Sequence, residues 1–423
     1  MKNLTERDKK HLWHPLTQHK IHPDMLGIVR AKGAILYDEH GAEYIDGIAS
    51  WYTSMYGHCN EYILEKVQMQ MAVLDQVVFS GFTHEPAIKL SEELINILPF
   101  NQEKLFFSDN GSTATEVGIK MALQYHFNLG NKRKVLLAFE EGFHGDTFGA
   151  MSVSGLSVYN GPFEDYFIEV ERIPPPTKDN IGDILHQLSE RLKRKDIAGF
   201  IYEPLVQGAA AMKMHNAEGL NMILDLLKRN LVLLIADEVM TGFGKTGKNF
   251  ASDHISVKPD IICLSKALTA GLMPMGVTSC TQQVFDAFYS TDIAKGLFHG
   301  HTYTANPLAC AAALAGLELL QSEQIQKDIR RVISSHKAFG VKISQHPRVA
   351  SIRQCGIIFA LDLDIKMERY GNLRDRLFNF FMEHGVFLRP LGNTIYILAS
   401  YTITDVQLKQ VYDVIELALD TVV

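Results

Sequence analysis

Two charged residues stand at the ends of apolar runs. DIICLSK finishes in Lys266, and LVLLIADE carries Asp237 beside its end. Taken singly, such a lysine reads as a solvated charge and such an aspartate as a helix cap. Together they suggest chemistry. Lys266 follows an apolar run and precedes Ala-Leu-Thr-Ala-Gly, so its amine is expected in a sheltered place, where desolvation lowers its pKa and makes it a nucleophile for Schiff-base formation. An acid sheltered like Asp237 is costly unless it faces a cation, and a protonated ring nitrogen of a bound cofactor is one. Two other segments join them. KVLLAFE runs into Gly142-Phe143-His144-Gly145, and LFFSDNGST leads to a helix start at Gly111-Ser112. Backbone N–H groups, a hydroxyl and the positive end of a helix dipole suit that start to a phosphate.

These residues need a frame that brings strand ends together. KVLLAFE (134–140), IAGFIYE (197–203), LVLLIADE (231–238) and DIICLSK (260–266) alternate with helical segments, which predicts parallel strands joined by crossover helices. In such sheets ligands bind beyond the carboxyl ends of the strands. Residues 30–46 alternate apolar and polar around Asp38-Glu-His-Gly41 and predict a β-hairpin. From Asn60 to Phe79 the spacing of Ile63, Val67, Met71, Leu74 and Val78 predicts one amphipathic helix. Thr113 with Glu116 reads as a capping signal for the next helix, and Asn306-Pro307 opens another. After about residue 320, runs such as GIIFALDLD and TIYILAS alternate with helices. The expected fold class is α/β, with an N-terminal segment (1–59) that joins the small domain, a large domain (60–318) built on a mainly parallel sheet, and a C-terminal α+β small domain (319–423).

Composition narrows the function classes. Lys plus Arg total 41 against 48 for Asp plus Glu, a net charge of -7 that repels a phosphate backbone, so nucleic acid is not expected as a partner. The five cysteines form no CxxC pair, which suggests neither a disulfide framework nor a zinc knuckle and fits a reducing cytoplasm. The first twenty residues lack the apolar stretch of a secretory signal. The longest of these runs fall far short of the roughly 20 apolar residues that span a bilayer. Gly242-Phe-Gly-Lys-Thr246 imitates the end of a P-loop, but the earlier glycine would fall on Val239, so a nucleotide-binding reading fails.

The motifs SDNGSTATE, GFHGDT, YEPLVQG, LLIADEVMTGFGKTG, CLSKALTAG and HTYTANPLACAAA, in this order and spacing, resemble those of the class III, fold type I aminotransferases, which use pyridoxal 5'-phosphate. The resemblance covers nearly the whole chain. It implies that Lys266 carries the cofactor as a Schiff base and relays protons, that Asp237 pairs with the ring nitrogen, and that Phe143 and Val239 flank the ring. It also implies that Gly111 and Ser112 hold the phosphate, joined by Thr302, with His301 beside it, from the partner subunit of a homodimer.

Within that family HLWHPLTQ, ASWYTSMYGH and FLRPLGNTIYI resemble a biotin-pathway branch that aminates 8-amino-7-oxononanoate with S-adenosylmethionine as donor. Substrate roles then fall on Trp51 and Tyr52 as channel walls, on Arg389 as a clamp for the keto acid's carboxylate, and on Phe143, Gly300, Tyr396 and Leu16. Trp51 and Tyr52 are otherwise core aromatics, and Arg389 otherwise serves a structural salt bridge. The chain departs from the branch at Leu16, where tyrosine is usual, at Tyr52, often tryptophan, and at His301, often proline. These changes touch the substrate side, so lysine as donor and another ω-amino-acid transamination stay open.

Overall fold

The computed structural model describes residues 3–22, 24–365 and 372–423. Its centre is a seven-stranded sheet in the order β4-β12-β11-β10-β7-β5-β6. The strands are β4 (Lys104–Ser108), β5 (Val135–Phe139), β6 (Val170–Ile173), β7 (Ile197–Tyr202), β10 (Leu233–Asp237), β11 (Ile261–Leu264) and β12 (Gly276–Cys280). β6, β5, β7, β10 and β11 pair in parallel, while β12 runs antiparallel to both β11 and β4. This is the mainly parallel α/β sheet expected from the alternating apolar runs. Every residue of β5, β7, β10, β11 and β12 is buried, because helices cover both faces of such a sheet.

Along β10 the side chains alternate between two cores, as the two-residue period of a strand requires. Leu233 and Ile235 pack with Ala114, Val117 and Met121 of the helix Gly111–Asn128. Leu234 and Ala236 share the other core with Leu220, Ile223, Leu224 and Leu227 of the helix Ala217–Arg229. The first helix lies close to the sheet at Gly118, where an added Cβ would stand 3.1 Å from Cys263 Sγ.

Two smaller sheets draw the chain ends together. β1 (Ile28–Lys32), β2 (Ile35–Asp38) and β3 (Glu43–Asp46) form an antiparallel meander, and β15 (Val386–Phe387) joins its edge in parallel with β3. The expected hairpin is therefore the second half of a three-stranded unit. β13 (Val349–Cys355), β14 (Ile358–Leu363) and β16 (Thr394–Ile397) form an antiparallel sheet, and β8 (Val206–Gln207) pairs with β9 (Lys213–Met214). The helices Glu323–Ile343 and Asp405–Thr421 meet where the Phe339 and Tyr412 rings stack at 4.1 Å. Among the described residues no helix is long and apolar enough to cross a membrane.

Two local expectations are corrected. The helix expected over 60–79 is Glu61–Met71. Its end is closed by Gln70, whose carbonyl accepts the N–H of Leu74 and whose amide donates to the Leu74 carbonyl. Gln76 then turns outward to bond the Thr302 carbonyl and the Asn306 amide, so tertiary contacts override the apolar spacing. The cap of the helix Gly111–Asn128 is Asn110, in a reciprocal box with Thr113. Glu116 caps a different helix: its Oε1 accepts from Thr147 Oγ1 and from the N–H groups of Gly149 and Ala150, at the start of Phe148–Val153.

Candidate active site

The carboxyl ends of the central strands gather the chemical groups. Asp237 is the last residue of β10 and is buried. Its Oδ1 accepts the Val239 N–H at 3.0 Å, and its Oδ2 lies 2.7 Å from Nδ1 of the buried His144. The opposite ring nitrogen of His144 has no partner among the described residues. A carboxylate gripped at both oxygens cannot rotate, so its remaining lone pairs point in fixed directions.

Lys266 follows β11 with φ 51°, a left-handed conformation that turns the chain sharply out of the strand. Its Nζ makes no hydrogen bond or ion pair with a described residue and lies 5.4 Å from the centre of the Tyr52 ring. Burial lowers its pKa, against the opposing pull of Asp237 and Glu203. The direction of this shift agrees with the sheltered amine expected from the sequence.

At the start of the helix Gly111–Asn128, the Asn110 side chain takes the Thr113 N–H. The N–H groups of Gly111 and Ser112 take no partner among the described residues. A Cβ on Gly111 would stand 2.9 Å from Val239 Cγ1, so only glycine lets the helix start lie this close to the loop after β10. Ser112 Oγ accepts the Asp146 N–H at 3.2 Å. Phe143 stays exposed in the loop after β5, and its N–H donates to Glu203 Oε2 at 3.0 Å.

A second group of residues stands where the outer sheet meets the site. β3 and β15 are parallel neighbours, so the segments leaving them carry Trp51 and Arg389 to one place, and the guanidinium lies 4.9 Å from the Trp51 ring. Arg389 is exposed and has no ion pair among the described residues, so the structural salt bridge is absent there. The Tyr52 hydroxyl donates to the Tyr396 hydroxyl at 2.9 Å, both side chains being buried. Burial raises the pKa of Tyr52 and pushes that of Tyr396 up to about 12; both are neutral hydroxyls.

Trp51 and Tyr52 reach the site on an unusual backbone. Ala49, Ser50, Trp51 and Tyr52 all have φ between 46° and 71°, and ψ is 52° and 44° at Ser50 and Trp51. This is one turn of left-handed helix without a glycine, at a cost of about 1–2 kcal/mol per residue. The Asp46 carboxylate, almost fully buried, accepts from the N–H of Ile48 (3.2 Å), the N–H of Ser50 (2.8 Å) and the Ser50 hydroxyl (3.0 Å), and meets His58 Nε2 at 2.8 Å.

Within the chain, Leu16, Gly300, His301 and Thr302 are not hydrogen-bonded to the Lys266–Asp237 group. Leu16 is exposed in the N-terminal segment with φ 51°. His301 joins His299 at 2.9 Å and stands 3.5 Å from Asp109, and the Thr302 carbonyl accepts from Gln76. Sequence reasoning missed Glu203 and His144, although both stand in quoted motifs, YEPLVQG and GFHGDT. Glu203 is buried and accepts the Phe143 and Gly208 N–H groups; burial first, then Asp237, push its pKa up to about 7. Lys245 of the rejected P-loop imitation is fully buried, with Nζ bonded to the Gly242 carbonyl at 3.1 Å, and burial lowers its pKa to about 7.

Residues 17–419 match the family Aminotransferase class-III, and the chain belongs to that family. It is 43% identical over 424 residues to the adenosylmethionine-8-amino-7-oxononanoate aminotransferase of Synechococcus elongatus, covering 97% of this chain and 99% of that one. Identity to the enzyme of the same name from Geobacter sulfurreducens is 37%, over 99% and 98% of the two chains. Among solved structures, the one of that name from Methanocaldococcus jannaschii superposes with a TM-score of 0.95 at 31% identity, with 99% of each chain covered. An amine transaminase from an uncultivated Pseudomonas species, in a pyridoxal-phosphate-bound form, follows with a TM-score of 0.90 at 28% identity, covering 97% of this chain and 99% of that one.

Proposed function

We propose that this chain is a pyridoxal-phosphate-dependent aminotransferase that converts 8-amino-7-oxononanoate to 7,8-diaminononanoate in biotin biosynthesis, with S-adenosylmethionine as amino donor. The observation that carries the reading is the Lys266 amine, unpartnered among the described residues and its pKa lowered by burial against the pull of Asp237, with both oxygens of that aspartate fixed. The protein acts as a cytoplasmic homodimer, with His301 and Thr302 reaching the partner's cofactor phosphate and Gly300 lying on the substrate side. The cofactor domain is 60–318, and residues 1–59 join 319–423 as the small domain, a division supported by the β3–β15 pairing.

The residues present fit the cofactor. The glycine-lined helix start suits its phosphate, Asp237 its ring nitrogen, Phe143 and Val239 its two faces, and Lys266 its aldehyde. Bound there, pyridoxal phosphate supplies an electron sink for the carbon that loses a proton. Asp237 keeps the ring nitrogen protonated, and His144 holds Asp237 in register. Lys266, once its Nζ is free, moves the proton to and from the substrate carbon. Arg389, with no anion among the described residues to satisfy it, takes the carboxylate of the keto acid, and Trp51, Tyr52 and Tyr396 wall the channel that holds its chain.

The test follows loss of cofactor colour in the donor half-reaction, with S-adenosylmethionine and lysine at matched concentrations, and then adds the oxononanoate. S-adenosylmethionine is expected to have the higher kcat/KM, and the keto acid to restore the colour. A higher kcat/KM for lysine overturns the donor assignment, and failure of the keto acid to restore the colour overturns the substrate.

A further inference from the structure

The left-handed turn at Ala49–Tyr52 is the feature that the proposed chemistry does not use directly. Non-glycine residues avoid this conformation, and four in succession persist only where the surroundings dictate them. What dictates it lies below the turn. One carboxylate, Asp46, accepts the Ile48 and Ser50 N–H groups and the Ser50 hydroxyl. Its Oδ2 also meets His58 Nε2 at 2.8 Å, and the Ser50 hydroxyl lies 3.4 Å from the same nitrogen. The base of the clamp is itself fixed. Asp46 N donates to the Ala34 carbonyl, Gly47 N to that of Phe387, and Leu398 N to the Gly47 carbonyl. A Cβ on Gly47 would stand 2.6 Å from Leu388 Cδ2, so the turn is pressed against the segment that leads to Arg389.

We propose that Asp46 and His58 are positioning residues for substrate recognition: they hold residues 49–52 left-handed and so fix Trp51 against Arg389 and Tyr52 beneath Lys266. Neither touches the reacting atoms. A right-handed or extended backbone at Ser50 and Trp51 would point both aromatic rings elsewhere, leaving Arg389 without its stack and Tyr396 without the Tyr52 hydroxyl. The clamp therefore acts on the binding of the acidic substrate more than on proton transfer at Lys266. This inference rests on the proposed keto-acid site, and its test separates the two.

The chain has two tryptophans, Trp13 and Trp51, so in a Trp13→Phe background the indole fluorescence reports on Trp51 alone. In that background Asp46→Asn is expected to raise KM for the oxononanoate at least fivefold, with kcat within threefold, and to at least double acrylamide quenching of Trp51. His58→Gln should move both readouts in the same direction by less, and it decides the matter if Asp46→Asn does not fold. Adding Ser50→Gly to Asp46→Asn should restore both, because glycine accepts the left-handed conformation without a clamp. A purely structural role for Asp46 predicts no such rescue. In the same holoenzyme Ser50→Gly should melt above Ser50→Ala, since both lose the hydroxyl and only alanine is strained. The proposal is overturned if both clamp variants that fold keep KM and quenching within twofold of the background, if the glycine fails to rescue, or if Ser50→Ala melts as high as Ser50→Gly. If the parent does not aminate the oxononanoate, the substrate assignment fails while quenching and melting still decide the clamp.

Discussion

Replacing Arg389 with alanine separates recognition from folding. The guanidinium lies 4.9 Å from the Trp51 ring and has no ion pair among the described residues. Its contribution to the folded chain is then mostly the stack, about 0.5–1 kcal/mol at an exposed site. In a chain of this size that moves Tm by roughly 2 °C or less. A carboxylate held by the guanidinium in a charge-assisted pair is worth about 1.5–3 kcal/mol, which appears as a roughly ten- to hundredfold loss of kcat/KM for the keto acid. The donor half-reaction should be spared by comparison. Lysine keeps the charge without the planar fork and should recover only part of the loss. The assay pairs steady-state kinetics, varying the oxononanoate at saturating donor, with a thermal melt of the same preparation. Unchanged kinetics with a Tm lowered by many degrees would refute the reasoning and make Arg389 a structural residue.

Three further outcomes are expected. Lys266→Ala should fold and melt like the parent yet lose transamination, because the nucleophile and the proton carrier are one group; activity within tenfold of the parent contradicts this. Asp237→Asn can still accept the Val239 N–H but no longer carries the charge that holds a ring proton, so kcat should fall by a hundredfold or more while cofactor is retained. Equal kcat in both half-reactions would make Asp237 a mere cap. Buried His215, whose Nε2 accepts the Leu205 N–H, has its pKa lowered by burial to about 4, and burial takes His336 to about 3. The folded pKa lies below the unfolded value of about 6.5 in each case, so this stability is present above pH 6.5 and is lost as pH falls towards 4 and then 3. The loss is on the order of 3 kcal/mol for His215 alone. Tm should drop between pH 7 and 4.5, and His215→Asn should flatten that drop; an identical slope in the variant counts against it.

The strands that carry the chemistry were legible because burial on both faces writes them as unbroken apolar runs, and β5, β7, β10 and β11 lie within the runs expected. β12 was not singled out. GVTSC carries two hydroxyls, and they are buried only because Thr278 donates to the Ala114 carbonyl and Ser279 to Gln102, partners far away in sequence. The same limit explains the overlong helix after Asn60, where the deciding contacts come from the loop around Thr302 and Asn306. Lys266 and Asp237 were visible at strand ends. His144 and Glu203 were not, since their importance lies in touching Asp237 and the Phe143 loop. The left-handed turn at Ala49–Tyr52 left no mark at all, as no glycine or asparagine stands within it to announce a positive φ.

The parallel pairing of β3 with β15 sets a timetable for the chain during synthesis. Val386 follows Asp46 by 340 positions, and at about 5–20 residues per second the ribosome needs roughly 20–70 s to supply it. Until then the outer edge of β3 is a row of unsatisfied donors and acceptors, open to any other strand. The strands of the central sheet, between residues 104 and 280, are all synthesised before it. A chain that stopped short of residue 386 would lack the partner of β3 and leave that edge exposed.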